Sequence, residues 1–126
     1  MIILDTSVLI DALTVGRRSM PALRRAIGNG EQLALLSLVA YEWRRGPRTA
    51  DELATQEALL PASTVLEFGV ADAETAAEVY RAVTAPRGRE VDLAIAACAI
   101  RRNAALWTLN VKDVRDVPGL ELYRPE

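Results

Sequence analysis

Histidine is absent from the 126 residues, cysteine occurs once (Cys98) and lysine once (Lys112). Without imidazole, the Ser-His-Asp and Cys-His mechanisms are closed to this chain, which leaves carboxylates, hydroxyls and arginine as its chemical equipment. A lone thiol forms no internal disulfide and, with no histidine beside it, cannot assemble a zinc site. Neither the P-loop pattern nor the GxGxxG fingerprint occurs, so a nucleotide held by such glycine-rich loops is not indicated. No apolar run approaches the roughly 18 residues of a membrane span. Met1 leads straight into Ile2-Ile3-Leu4-Asp5, without the basic start and small-residue cleavage site of a secretory signal, so the expected location is the cytoplasm. A formal charge of -2 argues against a histone-like DNA binder and leaves room for a local basic rim around an acidic cleft.

What is present suits one compact domain over residues 1–126: 51% of the residues are hydrophobic, with only 7 Gly and 6 Pro. Ile2-Ile3-Leu4 reads as a strand buried on both faces, followed by a short helix through Val8-Leu9-Ile10 and Ala12-Leu13. Ser19 before Met20-Pro21 opens a helix over about 20–28, closed by Gly28 and Gly30. Leu33 to Ser37 is a second strand, leading into Tyr41-Glu42-Trp43 with Glu42 at or just after a strand-to-helix transition. Thr49 and Glu52 form a capping box for a helix that Pro61 ends. Thr64 to Phe68 reads as a third strand. Asp72 then caps a helix whose apolar face is Ala76, Val79, Tyr80 and Val83. Asp92 opens an all-apolar helix through Ile100, and Arg101-Arg102-Asn103 close it. Ala105 to Leu109 and Leu120 to Tyr123 complete five expected strands. Alternation of strands and helices specifies a three-layer α/β/α sandwich around a mainly parallel sheet.

In an open parallel sheet, ligands bind beyond the carboxyl ends of the strands. Several acids fall at that edge: Asp5 ends the first strand, Glu42 follows the second, Asp92 opens the buried helix, and Asp113, with the amide Asn110 before it, follows Ala105 to Leu109. Taken singly, each has an ordinary reading. Asp5 suits an Asx turn, Asp92 an N-cap, Glu42 a solvated first-turn acid, and Asp113 and Asp116 a polar loop. Gathered together, they repel one another unless a divalent cation neutralises them. Oxygen ligands without histidine or thiolate favour Mg²⁺ or Mn²⁺, ions suited to phosphodiester hydrolysis. Cys98 reads as a core residue rather than a nucleophile. Trp43, Tyr80, Trp107 and Tyr123 are isolated and are expected to pack the core or an interface. Arg44, Arg45, Arg87 and Arg89 are the arginines nearest the acids in sequence and are the candidates for a phosphate-meeting rim.

The segments Ile2-Ile3-Leu4-Asp5-Thr6-Ser7-Val8-Leu9-Ile10-Asp11, Ala40-Tyr41-Glu42-Trp43-Arg44-Arg45-Gly46, Asp92-Leu93-Ala94-Ile95-Ala96-Ala97 and Thr108-Leu109-Asn110-Val111-Lys112-Asp113 occur in an order that resembles the PIN-domain nucleases. Within that family the chain is similar to the small VapC-type toxins of toxin–antitoxin pairs. Two positions depart from the pattern: Asp113 precedes Val114 where the family usually has Phe, and Val91 stands before the third acid where relatives are often polar. The resemblance implies a Mg²⁺- or Mn²⁺-dependent endoribonuclease acting on structured RNA such as tRNA or rRNA. It also implies a VapB-like antitoxin lying across the groove, and a homodimer. Asp5, Glu42, Asp92 and Asp113 are then the catalytic acids, with Asp5, Asp92 and Asp113 holding the metal and Glu42 orienting a water. Thr6, Ser7, Thr108 and Asn110 support them. The competing readings are a PIN-like module that binds RNA or protein without cleaving it, and a PIN nuclease that is not a toxin. A haloacid-dehalogenase-like phosphatase needs an acid two residues after Asp5, where Ser7 stands.

Overall fold

The structure, a computed structural model, describes residues 1–125. Four parallel strands, β1 (Ile2–Leu4), β2 (Leu33–Ala34), β3 (Ala105–Trp107) and β4 (Glu121–Leu122), form one sheet in the order β2-β1-β3-β4. Six helices, α1 (Thr6–Leu13), α2 (Met20–Gly28), α3 (Ser37–Arg45), α4 (Ala50–Leu59), α5 (Val70–Ala82) and α6 (Glu90–Arg101), supply the crossovers that parallel pairing requires. Short 3-10 turns occupy Ala62–Thr64 and Val111–Asp113. No helix among the described residues is long and apolar enough to cross a membrane.

β1 sits at the middle of the sheet because it can be covered on both faces. All of Ile2, Ile3 and Leu4 are buried, and Ile2 pairs with Leu33 on one side and Ala105 on the other. From β1 the chain crosses first to β2 on one flank and later to β3 on the opposite flank, so the sheet reverses direction of growth at β1. Such a reversal splays the connections apart and opens a crevice outside the strands' carboxyl ends. The Asp5 N–H extends the pairing one residue further by donating to the Trp107 carbonyl at 2.9 Å, which fixes the first acid against the end of β3. Trp43 on α3 and Trp107 are the largest fully buried side chains, and the apolar α6 packs its Leu93, Ile95 and Ala96–Ala99 into the same core.

Several elements differ from the sequence reading. Thr64 to Phe68 is not a strand: only Leu66 bridges Leu36, because α3 begins at Ser37 and leaves the ladder nothing to continue on. The Phe68 N–H turns instead to the Ser37 hydroxyl, at 3.1 Å. The same early start of α3 shortens β2 to Leu33–Ala34 and puts Glu42 within the helix rather than at its beginning. Asp72 is not an N-cap; Gly69 is, and the Asp72 carboxylate reaches back to the Gly69 N–H at 2.8 Å while pairing with Arg101 and Arg102. α6 opens at Glu90, so Asp92 lies in its first turn instead of capping it. Tyr80 leaves the core, being 37% exposed, whereas Tyr123 leans on Trp107 with ring centroids 5.1 Å apart. The capping box holds as expected, with Thr49 and Glu52 exchanging both hydrogen bonds.

Candidate active site

Asp5 occupies the N-cap position of α1, yet its side chain does not cap the helix. It is 5% exposed, and its Oδ2 accepts hydrogen bonds from the Ser7 hydroxyl at 2.7 Å and the Thr108 hydroxyl at 2.8 Å. Those hydroxyls are themselves held by backbone donors: Leu109 N–H to Ser7 Oγ and Asn110 N–H to Thr108 Oγ1, each at 3.0 Å. Both hydroxyls donate to Oδ2, so this network orients Asp5 without using its Oδ1. Asp5, Thr6, Ser7, Glu42, Asp92 and Asn110 line a cavity of about 530 Å³ outside the ends of β1 and β3.

Glu42 comes to this cavity from α3. Its Oε1 accepts from the Thr6 hydroxyl at 2.7 Å and its Oε2 lies 3.6 Å from an Arg45 nitrogen. Asp92 arrives from the first turn of α6, half-buried. Burial first, and then the charges of Asp5, Asp113 and Glu42, push its carboxyl up to about 6, with Arg89 opposing them. The field of the other three acids therefore reaches Asp92, while Asp5, Glu42 and Asp92 are the ones that share the cavity wall. Asp113 belongs to the Val111–Asp113 turn and Thr108 is buried behind Asp5, so neither is part of the cavity wall.

Two charged wall residues escaped the sequence reading. Asp11 stands one helical turn beyond Ser7, an i, i+4 spacing on α1 that puts both on the same face and could have found it. The Ser19 hydroxyl, together with Arg18, holds its carboxyl below the usual range. Arg48 is the other; nothing in its local sequence distinguishes it. Of the four arginines expected at the rim, Arg45 alone lines the cavity. Arg44 turns to Glu57 at 3.8 Å, Arg87 is exposed, and Arg89 binds Asp116 and the Asp113 carbonyl.

The donor set fits a hard divalent cation by charge and chemistry: carboxylates and hydroxyls, no histidine, no thiolate, and a half-buried acid whose ionisation its neighbours resist. Among the described residues, no three acids already close around one point as a finished coordination cage. Mg²⁺ does not need one, because it retains several waters and takes one or two carboxylates directly.

The fold and the cavity together define an open parallel α/β domain that gathers acids at its topological switch point. The chain belongs to the PIN domain family, whose model matches residues 2–119. It is 34% identical, over 94% of its own length and 96% of the other's, to Ribonuclease VapC19 of Mycobacterium tuberculosis. A toxin–antitoxin complex from Klebsiella pneumoniae contains a chain 26% identical to it, with a TM-score of 0.70 and 95% of each chain covered. FitAcB from Neisseria gonorrhoeae superposes with a TM-score of 0.75 over 99% of this chain and 98% of that one, at 18% identity, a likeness of fold.

Proposed function

We propose that this protein is a divalent-metal-dependent endoribonuclease, the toxin of a toxin–antitoxin pair, that hydrolyses phosphodiester bonds of structured cellular RNA such as tRNA or rRNA in the cytoplasm. The observation that carries the reading is that Asp5, Glu42 and Asp92, carried by three separate parts of the chain, line one cavity at the switch-point crevice. Its support from relatives is the 34% identity to a named ribonuclease and the likeness to a toxin–antitoxin complex. A VapB-like antitoxin and a second copy of the chain are the partners this reading assigns.

In this reading Asp5 and Asp92 on the wall, with Asp113 from the adjoining turn, would hold Mg²⁺ or Mn²⁺. The bound ion would activate water and offset charge developing on the phosphate. Asp5 is presented by Ser7 and Thr108, which fix one carboxylate oxygen and keep the other available. Glu42, steered by Thr6, accepts a proton from an attacking water. Asn110, on the cavity wall, offers a side-chain donor to the substrate.

The test is RNA cleavage by the purified chain beside its Asp5→Asn variant. With Mg²⁺ the wild type should produce new 5′ ends, and the variant should be slower by about two orders of magnitude or more while remaining folded. EDTA should abolish the activity and Mn²⁺ restore it. Equal cleavage by the variant, or cleavage persisting in excess EDTA, would refute the assignment.

A further inference from the structure

Arg48 is a cation on the cavity wall that no carboxylate neutralises among the described residues, although Asp5, Glu42 and Asp92 line the same space. What holds it is an aromatic face. Its guanidinium carbon stands 4.3 Å from the centroid of the Trp43 ring, which is itself fully buried. One terminal nitrogen donates to the neighbouring Pro47 carbonyl at 3.1 Å, and Nε is buried without an acceptor. Arg45, by contrast, is engaged with Glu42 from the same helix and lies over the exposed Tyr41.

Gly46 shows that the position of this guanidinium is specific. Its backbone, at φ -80° and ψ 169°, is extended geometry open to any residue, so chain conformation does not demand glycine there. A Cβ at Gly46 would instead stand 2.8 to 3.0 Å from Arg48 Nη2, Cζ and Nη1, inside contact distance. Glycine at 46 is what admits the guanidinium to the face of Trp43.

A partly buried guanidinium without an anionic partner is costly, and an arriving anion offsets that cost. A guanidinium's planar fork suits a phosphate, and stacking on the π-face leaves the terminal donors that Pro47 does not take free for one. We infer that Arg48, seated on Trp43 and admitted by Gly46, anchors a phosphate of the RNA backbone flanking the one presented to the acids. This assignment rests on the ribonuclease reading for the nature of its ligand. It makes Arg48 a substrate-positioning residue: it should govern affinity and leave the chemical step alone.

The experiment uses the full chain and a 5′-fluorescein-labelled, random-sequence 12-nucleotide RNA as probe. Binding is measured in EDTA between 50 and 200 mM KCl, cleavage is measured with Mg²⁺, and a melting curve is taken for each protein. Arg48→Gln is expected to raise Kd and KM by about 5- to 20-fold and to flatten the slope of log K against log salt by about 0.7, the loss of one single-strand phosphate contact. Its kcat should stay within about twofold of the wild type. Arg48→Lys should restore the slope and only part of the affinity. Gly46→Ala should weaken binding with every charge retained, because the displaced atoms are the end of a flexible side chain, and it should add nothing in the Arg48→Gln background. An unchanged salt slope in Arg48→Gln, or a further full loss from Gly46→Ala on top of it, overturns the anchor. Wild-type cleavage with an unaltered KM in Arg48→Gln defeats the anchor alone. Binding that loses its slope in Arg48→Gln while no protein cleaves RNA upholds the anchor and defeats the ribonuclease reading.

Discussion

At Asp92, burial and the charges of Asp5, Asp113 and Glu42 act in one direction, and Arg89 acts against them. A folded-state value of about 6 lies above the ordinary 3.8, so the folded protein holds this proton more tightly than the unfolded chain does. Stability is therefore lost as pH rises from about 4 to about 6, and the penalty is complete above that window. Asp92→Asn removes it. In EDTA at pH 7.5 the variant should be more stable than the wild type by about 1–2 kcal/mol, allowing for solvent screening of a half-buried group. Near pH 3.5 urea unfolding should find the two alike; a variant that is less stable at pH 7.5 would contradict the repulsion. That Asp5, Glu42 and Asp92 would share one edge was legible in the sequence because a parallel sheet gathers the ends of its strands and the helices beside them there, whatever their separation along the chain. Arg48 was not, because its place depends on the Trp43 face and on a missing Cβ at Gly46, neither of which leaves a periodic trace.

At the scale of elements, α5 is fastened to α6 by one carboxylate. Asp72, 1% exposed, accepts from Arg101 Nε at 2.8 Å, from Arg102 at 2.7 Å and from the Gly69 N–H. Arg102 above all, with Arg101 and the Gly69 N–H assisting, holds the Asp72 carboxyl well below the usual carboxylate range against the cost of burial. Its contribution is therefore present in full above the unfolded value near 3.8 and disappears as pH falls through the depressed folded one. Asp72→Ala should cost about 3 kcal/mol at pH 7, since it strands two guanidinium groups at a buried contact. Arg101→Ala should cost less than Arg102→Ala, because the Arg101 side chain is 39% exposed against 15%. Urea midpoints order the three variants, and equal losses for the two arginines would mean that burial does not set their worth. The sequence pointed to Asp72 as a cap because a helix-opening acid after Gly69 satisfies the local signal, while its partners lie about thirty residues away on α6. Elements with a complete local signature, such as the Thr49 box, the central strand and the apolar α6, were readable in advance. The run from Thr64 to Phe68 has strand composition but finds a single bridging partner, and pairing, not composition, makes a strand.

Across the whole molecule, the acids at and beside the crevice are carried by separate parts of the chain: Asp5 after β1, Glu42 on α3 and Asp92 on α6 at its wall, and Asp113 in the adjoining turn beyond β3. The unfolded chain keeps them apart, so a cation that needs their combined field binds the folded state and not the unfolded one. Binding of that kind stabilises the entire domain through mass action. At ten times its Kd, Mg²⁺ should add about 1.4 kcal/mol, which for a chain of this length raises Tm by about 4–6 °C. NaCl at matched ionic strength should not reproduce the shift, since screening acts on exposed charges generally and not on one crevice. Asp5→Asn should lose most of it. Asp72→Ala should melt lower throughout yet retain the full increment, because its damage lies between α5 and α6, away from the acids. Melting curves with and without MgCl₂ on these three proteins decide the matter: a Mg²⁺ increment that survives in Asp5→Asn would place the cation somewhere other than the crevice between β1 and β3.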